Sequence, residues 1–295
     1  MGRRMDTRNE GLDVMMHVAR AFADSPWLHY GLWEPGERAN FPNLRAAQER
    51  YVDKLMTFLP PPPRRVLDIG GGTGEMARLL AGKGYAVDMI TPSAAQAKLA
   101  RQRLGDAGRV FETRFQDFGG ERRYDVCLWS ESFQYVPLKD SLPGMKHLLA
   151  EDGAVVIADC FRSPAYTGGR APGGGHRYRA FLEAVRETGY AIEADEDLTE
   201  AAAPTFVLDQ TVYRDFVAPV AAQLSGSLKA RRPLVHGLAA LGYRIFTKRA
   251  EREAMTARLA ADYRTPEAFK AANTYRFVRL RLGGGGGDDG ESRSA

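Results

Sequence analysis

The sequence is poor in cysteine, histidine and lysine: its 295 residues include 2 Cys, 5 His and only 8 Lys beside 33 Arg. Cys127 and Cys160 are too few for a disulfide framework or a Cys-rich metal site. A reducing cytoplasm is therefore the expected compartment. No set of His, Cys, Asp or Glu has metal-ligand spacing, so no metal is expected. No apolar run approaches the roughly 18 residues that a membrane-spanning helix needs. Nor does an apolar segment follow the opening Met-Gly-Arg-Arg, so no secretory leader is expected. A net charge of +4 is too mild to imply a nucleic-acid partner. Against these absences stand 44% apolar residues, enough to bury a substantial core.

Residues 1–25 carry Leu12, Met15, Met16, Ala19 and Phe22 at near-helical spacing. An aromatic loop follows, Trp27-Leu28-His29-Tyr30-Gly31-Leu32-Trp33, and then a helical pattern over 43–59 that Pro60–Pro63 stops. Beyond the prolines, apolar strands are predicted at 65–69, 85–90, 110–115, 124–129 and 153–159. Helices at 75–81, 94–104 and 138–150 separate them. Such alternation implies an α/β fold with a mostly parallel sheet covered on both faces, which binds ligands at the carboxyl ends of its strands. A helix at 179–188, a strand at 190–195 and a last, antiparallel strand at 275–282 complete seven strands. The segment 199–272 reads as a helical insert, and the glycine-rich tail 283–295 as disordered.

The first strand runs into Asp68-Ile69-Gly70-Gly71-Gly72-Thr73-Gly74-Glu75. Glycines at a strand–helix turn permit positive φ and close approach of a ligand. That ligand could be a dinucleotide, a nucleoside triphosphate or an adenosyl sulfonium. A phosphate loop would end in Gly-Lys-Ser/Thr, but Gly74-Glu75-Met76 stands there. Gly72-x-Gly74-x-x-Ala77 satisfies the loose dinucleotide pattern. Against it, Asp68 can face a cation, and Glu75 at the helix start would repel a pyrophosphate.

The spacing Asp68-x-Gly70-x-Gly72-x-Gly74 resembles the first motif of class I S-adenosylmethionine-dependent methyltransferases. The resemblance implies a Rossmann-like seven-stranded sheet with an N-terminal helical arm over 1–63 and a cofactor-binding core over 64–198. It further implies a helical substrate cap over 199–272, with the last core strand at 273–282. In that family the glycines wrap the methionine and ribose, and the Asp orders the loop near the amino group. At the second strand end, where an acid commonly holds the ribose, Thr91 stands. Thr91-Pro92-Ser93-Ala94-Ala95-Gln96 is similar to the tocopherol-type methyltransferases and cyclopropane fatty acid synthases, which implies a ribose contact for Gln96, with Thr91 beside it. Asp117 and Phe118, after the third strand, are implied to hold and cover the adenine. Ser130, at the end of the fourth strand, joins the implied cofactor-binding set.

The segment Trp129-Ser130-Glu131-Ser132-Phe133-Gln134-Tyr135-Val136-Pro137 resembles the same branch, except that Gln134-Tyr135 replace Glu-His. The cyclopropane synthases use an acid there to hold a bicarbonate base, and Gln134 cannot supply that charge, which argues against their methylene transfer. His29-Tyr30-Gly31-Leu32-Trp33 is similar to a lid segment and places Tyr30 against the sulfonium or its carboxylate; an aromatic face suits a cation. Three residues are candidates for the chemistry: Glu131 as base or acceptor-orienting group, His176 as a base in the glycine-rich loop after the fifth strand, and Tyr30. Residues 216–249 hold six Lys or Arg and no acid, interleaved with Leu228, Leu234, Val235, Leu238 and Tyr243. That composition suits a lipid-like acceptor, or peripheral contact with an anionic membrane. The reading is thus S-adenosylmethionine-dependent methylation of a small, hydrophobic metabolite. Its alternatives are other S-adenosylmethionine chemistry on the same scaffold, cyclopropanation or a non-methylating reaction, or cofactor binding without turnover.

Overall fold

The computed structural model of the protein describes residues 24–120, 123–169, 171–247, 249, 252 and 264–283. The helical pattern at the N-terminus up to residue 23 and the tail beyond Gly283 lie outside the described residues. Helix α1 (Phe41–Met56) precedes the prolines. Strand β1 (Arg65–Ile69), α2 (Glu75–Gly82), β2 (Ala86–Thr91), α3 (Ala94–Leu104) and β3 (Gly108–Glu112) then alternate. They are followed by β4 (Tyr124–Ser130), α4 (Leu138–Leu148), β5 (Leu149–Arg162), α5 (Tyr178–Glu187) and β6 (Tyr190–Asp197). Next come α6 (Thr199–Ala202), α7 (Thr205–Gln210) and a π-helical stretch at Thr211–Val217. Helices α8 (Ala218–Arg231), α9 (Pro233–Phe246) and α10 (Pro266–Ala272) lead into β7 (Asn273–Leu282).

The seven strands form one sheet in the order β3-β2-β1-β4-β5-β7-β6, with β6 and β7 antiparallel. The strand order reverses between β1 and β4, the switch point where such sheets open a ligand crevice. Central strands buried on both faces read as continuous apolar runs. Accordingly Val66, Leu67 and Ile69 of β1 and Val155, Val156 and Ile157 of β5 are all buried. One core cluster includes Trp129, Phe133, Phe161 and Phe181, and Phe115 packs against Trp129 with ring centroids 5.0 Å apart.

Several boundaries differ from the sequence pattern by a few residues, and two of the differences have a pairing partner as their cause. Strand β3 begins at Gly108, whose Cβ would meet the Val87 carbonyl oxygen at 2.5 Å, and ends before Phe115. Phe115 turns into the core on a 3-10 turn at Phe115–Asp117. The helix predicted to residue 150 stops at Leu148, because Leu149 is extended and pairs with Tyr124. The register then shifts before Val126 pairs with Ala154, so β5 spans 14 residues.

The chain divides into two compact units. The sheet unit holds residues 53–164, 175–197 and 275–295; the other holds 1–52, 165–174 and 198–274. In the second unit the aromatic loop is tied down locally. Trp33 Nε1 donates to Thr205 Oγ1 at 2.9 Å, Gln48 Nε2 donates to the His29 carbonyl at 2.6 Å, and His29 stacks on Tyr51 at 3.9 Å. Arg264 pairs with Asp209 at 2.6 Å and lies over the Phe206 ring.

Candidate functional site

The site grows from the turn between β1 and α2. Gly70, Gly72 and Gly74 have φ of 76°, 56° and 80°, a region that costs any residue with a Cβ. A Cβ on Gly71 would come within 2.3 Å of Asp68 Oδ2, so this carboxylate lies directly beneath the loop. Asp68 is 1% exposed, and neither of its oxygens has a hydrogen-bond partner among the described residues. Burial alone pushes its pKa up from 3.8 to about 7. An unsatisfied buried carboxylate is costly, and a cationic or N–H group of a ligand would relieve it.

Glu75, the residue expected to repel a pyrophosphate, carries no bare charge. Arg78 pairs with it at 2.5 Å and Arg103 at 3.5 Å. Asp68, rather than Glu75, is therefore the residue that disfavours a dinucleotide.

At the end of β2, Thr91 is buried and donates from Oγ1 to Gln96 Oε1 at 3.0 Å. Ser93 caps α3 by accepting from Gln96 N, so the turn and the Gln side chain are held together. Asp88, earlier in β2, is committed to Arg109 at 2.8 Å and to the Tyr124 hydroxyl at 2.9 Å. Asp117 lies exposed on its 3-10 turn with Arg114 at 2.6 Å, a pairing that holds its carboxyl below the usual range. Phe118 is half-buried against Phe111, with ring centroids 5.1 Å apart.

Beyond β4, Glu131 has φ +56°, a rare conformation for a non-glycine residue and one that marks functional turns. Its backbone N–H donates to the Ala158 carbonyl at 2.8 Å. Its carboxylate Oε1 accepts from the Tyr275 hydroxyl of β7 at 2.5 Å, and Tyr275 is fully buried. The following Ser132 hydroxyl donates to the Ile69 carbonyl, which joins this loop to the glycine turn. Ser130 occupies the half-buried last position of β4.

Asp159, near the end of β5, is 1% exposed and accepts from Gln134 N at 3.0 Å, Gln134 Nε2 at 3.1 Å and Cys160 N at 2.7 Å. Burial outweighs these bonds and raises its pKa to about 7. Sequence reasoning overlooked both Asp159 and Tyr275. An acid inside an apolar strand was a signal for the first, whereas nothing local marked the second. His176 is half-buried and edge-on to Phe133; its Nε2 lies 3.0 Å from the Val136 carbonyl and 3.3 Å from that of Phe133. Carbonyls only accept, so Nε2 bears the proton, and desolvation lowers the ring's pKa. Nε2 thus clamps the loop after β4, and Nδ1 keeps the lone pair that the base role expected from the sequence would use. Tyr30 lies in the second unit, edge-on to Phe206 at 5.7 Å and Phe269 at 6.1 Å.

An open-edged parallel sheet, a positive-φ glycine turn over a buried unpaired acid and a Thr–Gln pair on the neighbouring strand define a class I, Rossmann-like adenosyl-cofactor fold. The chain belongs to the methyltransferase-domain family, which it matches over residues 44–201. It is 26% identical over 176 residues to a protein of Oryza sativa subsp. japonica named as a probable chloroplastic tocopherol O-methyltransferase, covering 52% of this chain and 48% of that one. To the ubiquinone biosynthesis O-methyltransferase of Thiobacillus denitrificans it is 26% identical over 199 residues, 62% of this chain and 84% of the relative. The chain thus spans about half the length of the rice relative. In structure it is similar to the (4+2)-cyclase SpnF, with a TM-score of 0.65, 18% identity and coverage of 94% and 96%. It is also similar to a geranyl diphosphate C-methyltransferase from Streptomyces coelicolor, with a TM-score of 0.62, 16% identity and coverage of 92% and 97%. At these identities the two structures speak for the fold.

Proposed function

We propose that the protein is an S-adenosylmethionine-dependent methyltransferase, cytoplasmic, that acts on a small hydrophobic or lipid-like acceptor. The observation that carries the cofactor reading is the buried Asp68 carboxylate, without a partner among the described residues, under a glycine turn. An adenosyl amino acid brings an ammonium group for such a carboxylate and a ribose for a Thr–Gln pair. In this reading Asp68, Gly70, Gly72 and Gly74 hold the methionine side, Thr91 and Gln96 the ribose, and Asp117 and Phe118 the adenine. Ser130, at the end of β4, completes this set, and Tyr30 keeps the cofactor role that the resemblance of its segment implies. When bound, S-adenosylmethionine supplies a methyl group already activated for in-line displacement, so the chain mainly positions the acceptor and excludes water.

Glu131 is the group we assign to take a proton from an acceptor that carries one. Tyr275 is its positioning residue, donating to one carboxylate oxygen and holding the side chain on its strained turn. His176 and Asp159 act on the same loop, one through the carbonyls of Phe133 and Val136 and the other through Gln134. The hydrophobic acceptor is supported by the apolar, basic stretch 216–249 and by relatives named for tocopherol and ubiquinone biosynthesis. Incubation with methyl-labelled cofactor and a lipid extract tests the reading. The expected product carries the label as one added methyl. Conversion of an acceptor without the label would turn the assignment toward non-methylating chemistry, and failure to bind S-adenosylhomocysteine would overturn the cofactor.

A further inference from the structure

Helix α8 is 14 residues long, and none of its residues is buried. Helices of this length owe most of their stability to packing of an apolar face. Yet Phe216, Val220 and Leu224, spaced four residues apart, are 61%, 42% and 66% exposed. On α9, Leu234 and Leu238 are 83% and 70% exposed. Of the nine large apolar side chains exposed among the described residues, seven fall between 216 and 243. Ser225 Oγ and His236 Nε2, 3.0 Å apart, link the two helices into a hairpin. Lys229, Arg231 and Arg232 are exposed where it turns, in a stretch of 34 residues without an acid.

The charge pattern decides among occupants. A two-fold contact with a second copy would set the patch against itself and bring its cations together. Five of the seven exposed side chains are aliphatic and offer a nucleic acid neither stacking nor base-edge contacts. An anionic bilayer satisfies both components at once, with the aliphatic residues at the acyl boundary and the cations among the headgroups. We infer that the α8–α9 hairpin docks the protein on an anionic lipid surface. Its purpose rests on the lipid-like acceptor proposed above, whereas docking itself is measurable with no acceptor and no turnover.

The experiment is co-sedimentation of the full chain with vesicles of phosphatidylcholine alone or mixed with phosphatidylglycerol. Binding is expected only to the mixed vesicles and is weakened by salt. Each of Lys229→Gln, Arg231→Gln and Arg232→Gln should lower the partition coefficient about fivefold. Leu234→Ser with Leu238→Ser should lower it at least tenfold, on the order of one buried leucine side chain. Because these residues are exposed, the variants should keep the wild-type circular dichroism and S-adenosylhomocysteine affinity. Equal binding to both vesicle types, or to neither, overturns the inference. So does a dimer in sedimentation velocity that Leu238→Ser dissociates, which would assign the patch to a second copy. Vesicle binding without any methyl transfer would retain the docking surface and remove the acceptor reading instead.

Discussion

Asp68 couples the site to pH through its burial. Folded, it keeps its proton to about pH 7; unfolded, it releases it near 3.8. Between those values the folded state binds the extra proton, so stability falls as pH rises through the window and the loss is complete above it. Asp68→Asn removes that contribution. The melting temperature of the variant, measured without cofactor, should match wild type near pH 4 and exceed it by about several degrees at pH 8. A difference independent of pH would disprove the unpaired carboxylate. The same variant should bind S-adenosylhomocysteine at least about tenfold more weakly in calorimetry, because the ligand's cation loses its partner.

Glu131 and Tyr275 form the other residue-scale test. Glu131→Gln keeps the size of the side chain and removes the basic oxygen, so turnover should fall about 100-fold or more while cofactor affinity stays within a few-fold. Tyr275→Phe removes the hydrogen bond that orients the Glu131 carboxylate and keeps the ring, so kcat should fall about tenfold while the cofactor KM stays unchanged. A role in packing alone would lower stability and leave kcat in place.

At the scale of elements, the glycine turn depends on backbone conformations that only some positions require. Gly74 has φ +80°, and a Cβ there would lie 2.8 Å from Ala100 Cβ on α3. Gly82, at the end of α2, has open space around it. Gly74→Ala should cost about 1–3 kcal/mol in urea unfolding. Gly82→Ala should be neutral or slightly stabilising. Equal effects would mean that the turn is not strained. These elements were legible because period and punctuation agree: apolar runs at 65–69 and 153–159, helical spacing at 94–104, and glycine or proline at their ends. Strand β3 and the α4–β5 junction were displaced because pairing partners set them, and Val87 and Tyr124 are distant in sequence. The Asp68 turn was readable as a local motif. The Tyr275–Glu131 bond, 144 residues apart, exists only through the strand order.

For the whole molecule, the small net charge conceals two uses of arginine. On β6 and β7 a cross-strand ladder consumes it: Arg276 pairs with Asp195 and Asp197, and Arg279 and Arg281 pair with Glu193. Partly exposed ladders of this kind add little stability but specify the register of the edge strand β6 on β7. The stretch 216–249, which contains α8 and α9, holds six cations and no acid of its own.

The two units should also differ in how they open. The sheet unit buries β1, β4 and β5 almost completely, whereas α8 buries nothing. Local opening free energy follows buried apolar contact, so amide exchange should be slowest in the three strands and fast along 218–231. S-adenosylhomocysteine, by binding only the folded state, should add about 2.7 kcal/mol of protection at a hundredfold excess over its Kd. That gain should concentrate at 66–75, 91–96 and 115–118 and leave 218–231 fast. Hydrogen exchange read by mass spectrometry checks this directly. If α8 were slow in the free protein, its exposed apolar stripe would already be covered and no external surface would be needed. If it slows only when anionic vesicles are added, the cofactor edge and the docking hairpin are separately addressed surfaces of one chain.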